Sequence, residues 1–123
     1  MALSQTTPPT TLANELVTIT EVLATSIDNV TGSSSGKLYF IEVDNTENEH
    51  GTYLKIADAA SATAGTTQPQ FRLLIPKLEK VPFSLLDGHT YSAGISLWAT
   101  TGASVGSTAA PTNSLIVKLL VTT

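Results

Sequence analysis

The chain contains no cysteine, which excludes disulfides and thiolate metal sites. Charge is scarce too: 13% of its 123 residues are charged, against about a quarter in an average domain. The six cations, Lys37, Lys55, Arg72, Lys77, Lys80 and Lys118, are scattered, and the net charge is -4. A phosphate backbone is held by clustered cations, so nucleic acid is not an expected partner. No apolar run approaches the roughly 20 residues of a membrane-spanning helix, so no membrane role is expected. The opening MALSQTTPPTTLANEL lacks both a basic segment and an apolar core, so it does not read as a secretory signal. The Asn29-Val30-Thr31 sequon is therefore read as accidental. No repeat of fixed period is visible.

What fills the gap is Thr, Ser and Ala, with 41% hydrophobic residues overall. A surface solubilised by hydroxyls and backbone suits a protein packed against neighbours, and equally an ordinary Thr-rich β-domain. Length supports one domain with a modest core. Residues 1–13 read as an extended arm with Pro8-Pro9 in polyproline conformation, and residues 14–123 as the folded domain. Within it, LVTITEVLATSI (16–27) reads as one long strand or two short ones. KLYFIEV (37–43) alternates Tyr39, Ile41 and Val43 against Leu38, Phe40 and Glu42. TYLKIAD (52–58) points Leu54 and Ile56 inward and Tyr53 and Lys55 outward. FRLLIP (71–76) groups Phe71, Leu73 and Ile75. KLEKV, bracketed by Pro76 and Pro82, must be an edge or a loop. FSLL (83–86) is strand-like, Asp87-Gly88 marks a turn, and TYSAGISLWAT (90–100) reads as one alternating strand. SLIVKLLVT (114–122) is apolar at Leu115, Val117, Leu119 and Val121, and also at Ile116 and Leu120. Its second face must meet another layer, a loop or another subunit. Six to eight short strands between turn signals predict an antiparallel β-sandwich, Ig-like or jelly-roll-like.

Chemistry-bearing patterns are few. GSSSGK (32–37) has three residues between its glycines where a phosphate loop needs four, and a strand follows where a helix is required. His50 and His89 each adjoin a glycine at an expected turn, with no nucleophile motif nearby, so the chain is read as non-enzymatic. DNTENEHG (44–51) gathers Asp44, Glu47, Glu49 and His50, but its spacing fails the EF-hand pattern. It reads first as the wet turn of a hairpin between KLYFIEV and TYLKIAD, with Asn48 or Gly51 supplying positive φ. An ion held by Asp44, Glu47 and Glu49 is the weaker reading, and no cofactor is expected. Trp98, with Tyr53, could present an aromatic platform to sugar, or plug a sandwich edge or an oligomer interface.

Four segments together carry a resemblance: IEVDNTEN (41–48), YLKIADAA (53–60), GTTQPQFRLLIP (65–76), and GISLWATTG with SLIVKLLVT at the end. Over about residues 38–122 the chain resembles small β-sandwich virion structural proteins of tailed bacteriophages. It departs from their pattern after Pro76, where KLEKVPF stands in place of a short Gly-containing loop. The resemblance implies a capsid decoration (cement) protein, or a tail or head-tail junction component, assembled in the bacterial cytoplasm and resident in the virion. Its implied partners are the major capsid protein or other virion proteins, and its implied state a homo-oligomer, with a trimer favoured by the threefold sites of a shell. Pro8, Pro9, Trp98, Ile116 and Leu120 are the interface residues expected on this reading. A carbohydrate- or receptor-binding module is the alternative from another class.

Overall fold

The computed structural model describes Ala13 and residues 15–123, so Pro8 and Pro9 lie outside the described residues. The alternating segments form strands β1 (Glu15–Val22), β2 (Gly36–Asp44), β3 (Thr52–Asp58), β4 (Phe71–Ile75), β5 (Lys80–Tyr91), β6 (Ile95–Thr100) and β7 (Leu115–Thr122). No helix occurs among the described residues. Two antiparallel sheets result, in the orders β1-β7-β2-β5 and β4-β3-β6. Residues 23–30 run along the free edge of β6. There Ile27 exchanges backbone hydrogen bonds with Leu97 at 2.8 and 3.0 Å, and Val30 N–H and Ala99 N–H donate to Ile95 O and Leu23 O, both at 2.8 Å.

Counting that segment as a strand, the sheets pair first with last, second with second-last, and so inward. This is the connectivity of a jelly roll, an antiparallel ribbon rolled into two facing sheets. The sandwich is thus the jelly-roll alternative of the two expected. Residues 16–27 divide between the sheets: β1 belongs to the first and the 23–30 segment to the second.

The core fills from one face of each strand. Val22, Leu38, Ile41, Val43, Leu54, Ile56, Ile75, Tyr91, Ile95, Leu97, Leu115, Val117, Leu119 and Val121 are all buried, with Phe71 and Leu73 packed against them. Alternation places β3, β4 and β7 as the sequence predicts. On β2 it fails for Leu38, which is buried with Ile41 and Val43 rather than opposite them. A β-bulge is the cause. Leu38 pairs with Val121 but Phe40 with Leu120, so β2 carries one residue, Tyr39, that β7 does not match, and on its other side that residue stands opposite four of β5. A residue inserted into a ladder flips every side chain beyond it to the other face. The excursion, residues 85–88, leaves Leu86 95% exposed. Gly88 makes it feasible, with φ of 75° and no room for a Cβ against the Tyr39 ring. FSLL and the end of KLEKV, Lys80 and Val81, therefore belong to one strand, β5, at the rim of its sheet where Pro82 costs no ladder hydrogen bond, while Lys77, Leu78 and Glu79 form the turn before it.

TYSAGISLWAT is likewise two elements. Tyr91 closes β5 in the first sheet and Ile95 opens β6 in the second, so residues 92–94 cross between layers. The Asp58 carboxylate, at the end of β3, holds the crossing. It accepts from the backbone N–H groups of Ser92 (3.0 and 3.1 Å), Ala93 (2.8 Å) and Gly94 (3.3 Å), and from the Ser92 hydroxyl. Burial pushes this carboxyl upward, but the Ala93, Ser92 and Gly94 donors outweigh it and hold it below its ordinary 3.8. A depressed folded-state pKa contributes stability above the unfolded value, and that contribution is lost as pH falls through the folded value. Asp58→Asn should therefore cost stability at about pH 6 and much less at about pH 3. Urea denaturation of both proteins at the two pH values checks this; an unchanged gap would mean that the charge plays no part.

Candidate functional site

DNTENEHG does not close a hairpin. β2 and β3 lie in different sheets, so the octapeptide is the first crossing between them, and neither Asn48 nor Gly51 has positive φ. Nor is it uniformly wet, since Asn45 and Asn48 are each 1% exposed. Asn45 follows β2 directly. Its side-chain amide donates to the carbonyls of His50 (3.1 Å), Ile75 (3.2 Å) and Pro76 (3.1 Å). Its Oδ1 accepts from Asn48 Nδ2 (2.8 Å) and the Thr52 hydroxyl (3.3 Å). Asn48 in turn exchanges hydrogen bonds with the backbone of Asn113 at 2.8 and 2.9 Å, and Asn113 Nδ2 donates to Glu47 O at 2.8 Å. Three connections are tied into one buried polar knot: 45–51, 76–79 and 109–114.

The acidic side chains around this knot diverge. Asp44 accepts from the Thr46 N–H (2.9 Å) and hydroxyl and lies 3.9 Å from Lys80. Burial raises the Asp44 carboxyl, but the Thr46 hydrogen bonds, with Lys80 and Lys118, bring it below the usual range. Glu47 and Glu49 instead line an open cleft of about 420 Å³ with His50, Thr112 and Asn113. In that cleft His50 Nε2 accepts from the Thr112 N–H (3.3 Å), which leaves Nδ1 to carry the proton toward Gly51 O (3.2 Å). Among the described residues no three His, Cys, Asp or Glu side chains stand close enough to hold a metal ion.

The knot has a second product. Leu78 N–H donates to Asn48 O (3.0 Å), and Asn45 N–H donates to Glu79 O (2.8 Å). These bonds hold Leu78 at φ 59° with its side chain 55% exposed. A leucine in the left-handed region costs about 1–2 kcal/mol through its Cβ. Leu74, on the outward face of neighbouring β4, is 51% exposed.

The outer face of the sheet β4-β3-β6 is roofed. Trp98 points away from the inter-sheet core, as the alternation predicts, yet it is 0% exposed, as are its neighbours Lys55, Ser96 and Thr100. The 101–114 connection folds over them: Lys55 Nζ donates to Ser104 O (2.5 Å), Arg72 to Ala103 O (3.2 Å), and Thr101 N–H to Ala109 O (2.9 Å). The 59–70 connection joins it, with Gly65 lying against Thr108. A sugar platform of Trp98 and Tyr53 is therefore not presented, and Trp98 is no surface contact of the single chain. Its Nε1–H is buried without a partner. Burial, reinforced by the Arg72 charge, lowers the Lys55 pKa.

The opposite outer face, on β1-β7-β2-β5, is covered by none of the described residues. Ile116 and Leu120 are half-buried there, and Leu120 stands in register between Phe40 and Leu16, the latter 61% exposed. Sequence reasoning anticipated Ile116 and Leu120 from the doubly apolar β7. It missed Leu16, because the partner of β1 was unknown; Phe40 lies opposite Ile41 and Val43, as the alternation predicts. Leu78 carried no signal beyond its departure from the Gly-containing loop of the phage pattern.

Replacing Asn45 by Ala removes the donor from the buried Ile75 carbonyl and from two part-buried ones, and takes one of the acceptors of the Asn48 amide, at roughly 1–3 kcal/mol per buried group left unpaired. Asn45→Ala should lower the thermal midpoint by well over ten degrees, whereas Glu49→Ala at the open cleft should leave it within about two. For Lys55, the depressed folded-state pKa means that its charged form opposes folding, so wild-type stability gains as pH rises toward 10.5. Lys55→Met should flatten that rise when the two proteins are compared by denaturant titration at neutral and alkaline pH. Parallel curves would show that the ammonium is not strained by its burial. No protein-family model, no curated protein and no solved structure matches this chain.

Proposed function

We propose that the chain is a non-enzymatic structural protein of a tailed-phage virion, and specifically a capsid decoration protein that stabilises the shell. The virion setting comes from the resemblance over residues 38–122. The observation that supports a docking role is Leu78. An apolar side chain is held in a backbone conformation that Gly or Asn would occupy at lower cost, and it is turned toward solvent. Backbone strain of this kind persists where surrounding structure enforces it, and the Asn45–Asn48 knot supplies that enforcement. The result is a rigid apolar knob, set among Lys77, Glu79 and Lys80, that loses little side-chain or backbone freedom on docking.

The partner on this reading is the major capsid protein, offering an apolar recess to Leu78. Burial of one leucine contributes about 1.5–3 kcal/mol. Repetition over many equivalent sites turns that modest contact into a stiffened shell. No catalytic step is involved.

The test separates stability from binding. Leu78→Asn and Leu78→Gly should leave the isolated protein as stable as wild type or more so, because each relieves the strain and removes an exposed apolar group. Each should weaken binding to decoration-free capsids by about ten- to a hundredfold, the equivalent of one lost leucine contact. Wild-type protein should raise the melting temperature of those capsids. Binding to tail tips in electron micrographs would replace the capsid assignment with a tail component, and binding to cell-wall glycans would replace it with a receptor-binding module.

A further inference from the structure

The outer face of β1-β7-β2-β5 has an ordered pattern. One row across the strands reads Leu16, Leu120, Phe40 and Ser84, and the next reads Thr18, Lys118, Glu42 and Pro82. The apolar row spans three strands, and no loop of the described residues hides it: Leu16 is exposed and Leu120 and Phe40 are partly so. In the second row Lys118 and Glu42 stand side by side at the centre of the sheet. They form no ion pair with each other. The one ion pair among the described residues is Lys80 with Asp44.

We propose that this face pairs with the same face of a second copy, about a twofold axis parallel to the strands and midway between β7 and β2. That axis lays β7 of one copy over β2 of the other. Leu120 then meets Phe40 of the second copy, and Lys118 meets Glu42, twice over by symmetry. The alternative twofold, running across the strands through the second row, stacks Lys118 on Lys118 and Glu42 on Glu42, and like charges facing each other are costly. The charges on the face therefore choose the second copy and its orientation together. Twofold pairing replaces the threefold state expected from shell symmetry, and it draws on residues distinct from the Leu78 contact.

The size of the face sets the strength. Four strands about 4.8 Å apart and about seven residues long, at about 3.4 Å each, make a patch of roughly 450 Å² per copy. About 900 Å² in total is at the low end of specific interfaces, so the pair is reversible and concentration-dependent.

Sedimentation velocity on the purified full chain, without capsids, tests the pairing apart from the virion reading. Dimer should accumulate up to about millimolar protein, the range in which an interface of this size associates. Leu16→Asp, at an exposed position that folding does not need, should abolish it. Glu42→Lys and Lys118→Glu should each weaken it at least about tenfold, and the double reversal should restore it. Because the chain has no cysteine, orientation can be read directly. A mixture of Thr18→Cys and Pro82→Cys proteins, on the edge strands of the second row, should be linked by a short bismaleimide that bridges the roughly 10 Å between facing sheets, and Thr18→Cys alone, whose two copies stand about three strand spacings apart, should not. A monomer at every concentration, a dimer indifferent to Leu16→Asp, or linkage of Thr18→Cys to itself would each overturn the proposal.

Discussion

One carboxamide fixes how the two sheets stand over each other. Asn45 lies where the chain leaves the first sheet, and its side chain spans to the carbonyls that end β4 and to the segment that begins β3. The Ile75 bond is buried, and a polar group buried there needs a partner. An aspartate of the same shape would bring only acceptors, and a leucine would bring nothing. Asn48 extends the network to Asn113, which places the start of β7. The strained Leu78 is a by-product of the same bonds, which dictate the path of residues 76–79. Fold and exposed knob thus share a single cause.

The two sheets differ in what lies over them, and loop length decides it. The 59–70 and 101–114 connections both leave strands of the β4-β3-β6 sheet, and both are long enough to fold back across its outer face. Lys55 is the consequence. A residue whose period marks it as solvent-facing ends with its ammonium on a loop carbonyl and no exposure. The crossings attached to the other sheet, 45–51, 76–79 and 92–94, are short and spent on reaching the facing layer. None of the described residues covers its outer surface, where apolar residues from three strands stand in one row.

How much of this the sequence revealed depends on whether an element answers to local pattern alone. β3, β4 and β7 carry uninterrupted alternation, and Leu54, Ile56, Phe71, Leu73, Ile75 and the odd-numbered residues from Leu115 to Val121 were placed correctly from it. Leu38 was not, because a bulge depends on the partner strand, and nothing in KLYFIEV names β5. The crossing at 92–94 was read as strand because Gly94 does not break the alternation around it. Its true marker is Asp58, more than thirty residues earlier, which no local window contains. The octapeptide was the most visible feature of the chain and the most misread. Its acids drew attention while its two asparagines did the structural work, and buried amides look like turn formers until their distant partners are known.

The place of β7 bears on how the molecule comes into being. It is the last strand of the described residues, yet it lies inside its sheet, between β1 and β2. β1 has no other strand neighbour, and its pairing joins residues about a hundred positions apart. Every nascent intermediate short of β7 therefore lacks the middle of one layer and leaves Val22, Ile41 and Val43 open to water. Closure of such long-range antiparallel pairs is slow. β7 must have left the ribosome before the sandwich can close, and during that interval the exposed edge of β2 is where misassociation would begin.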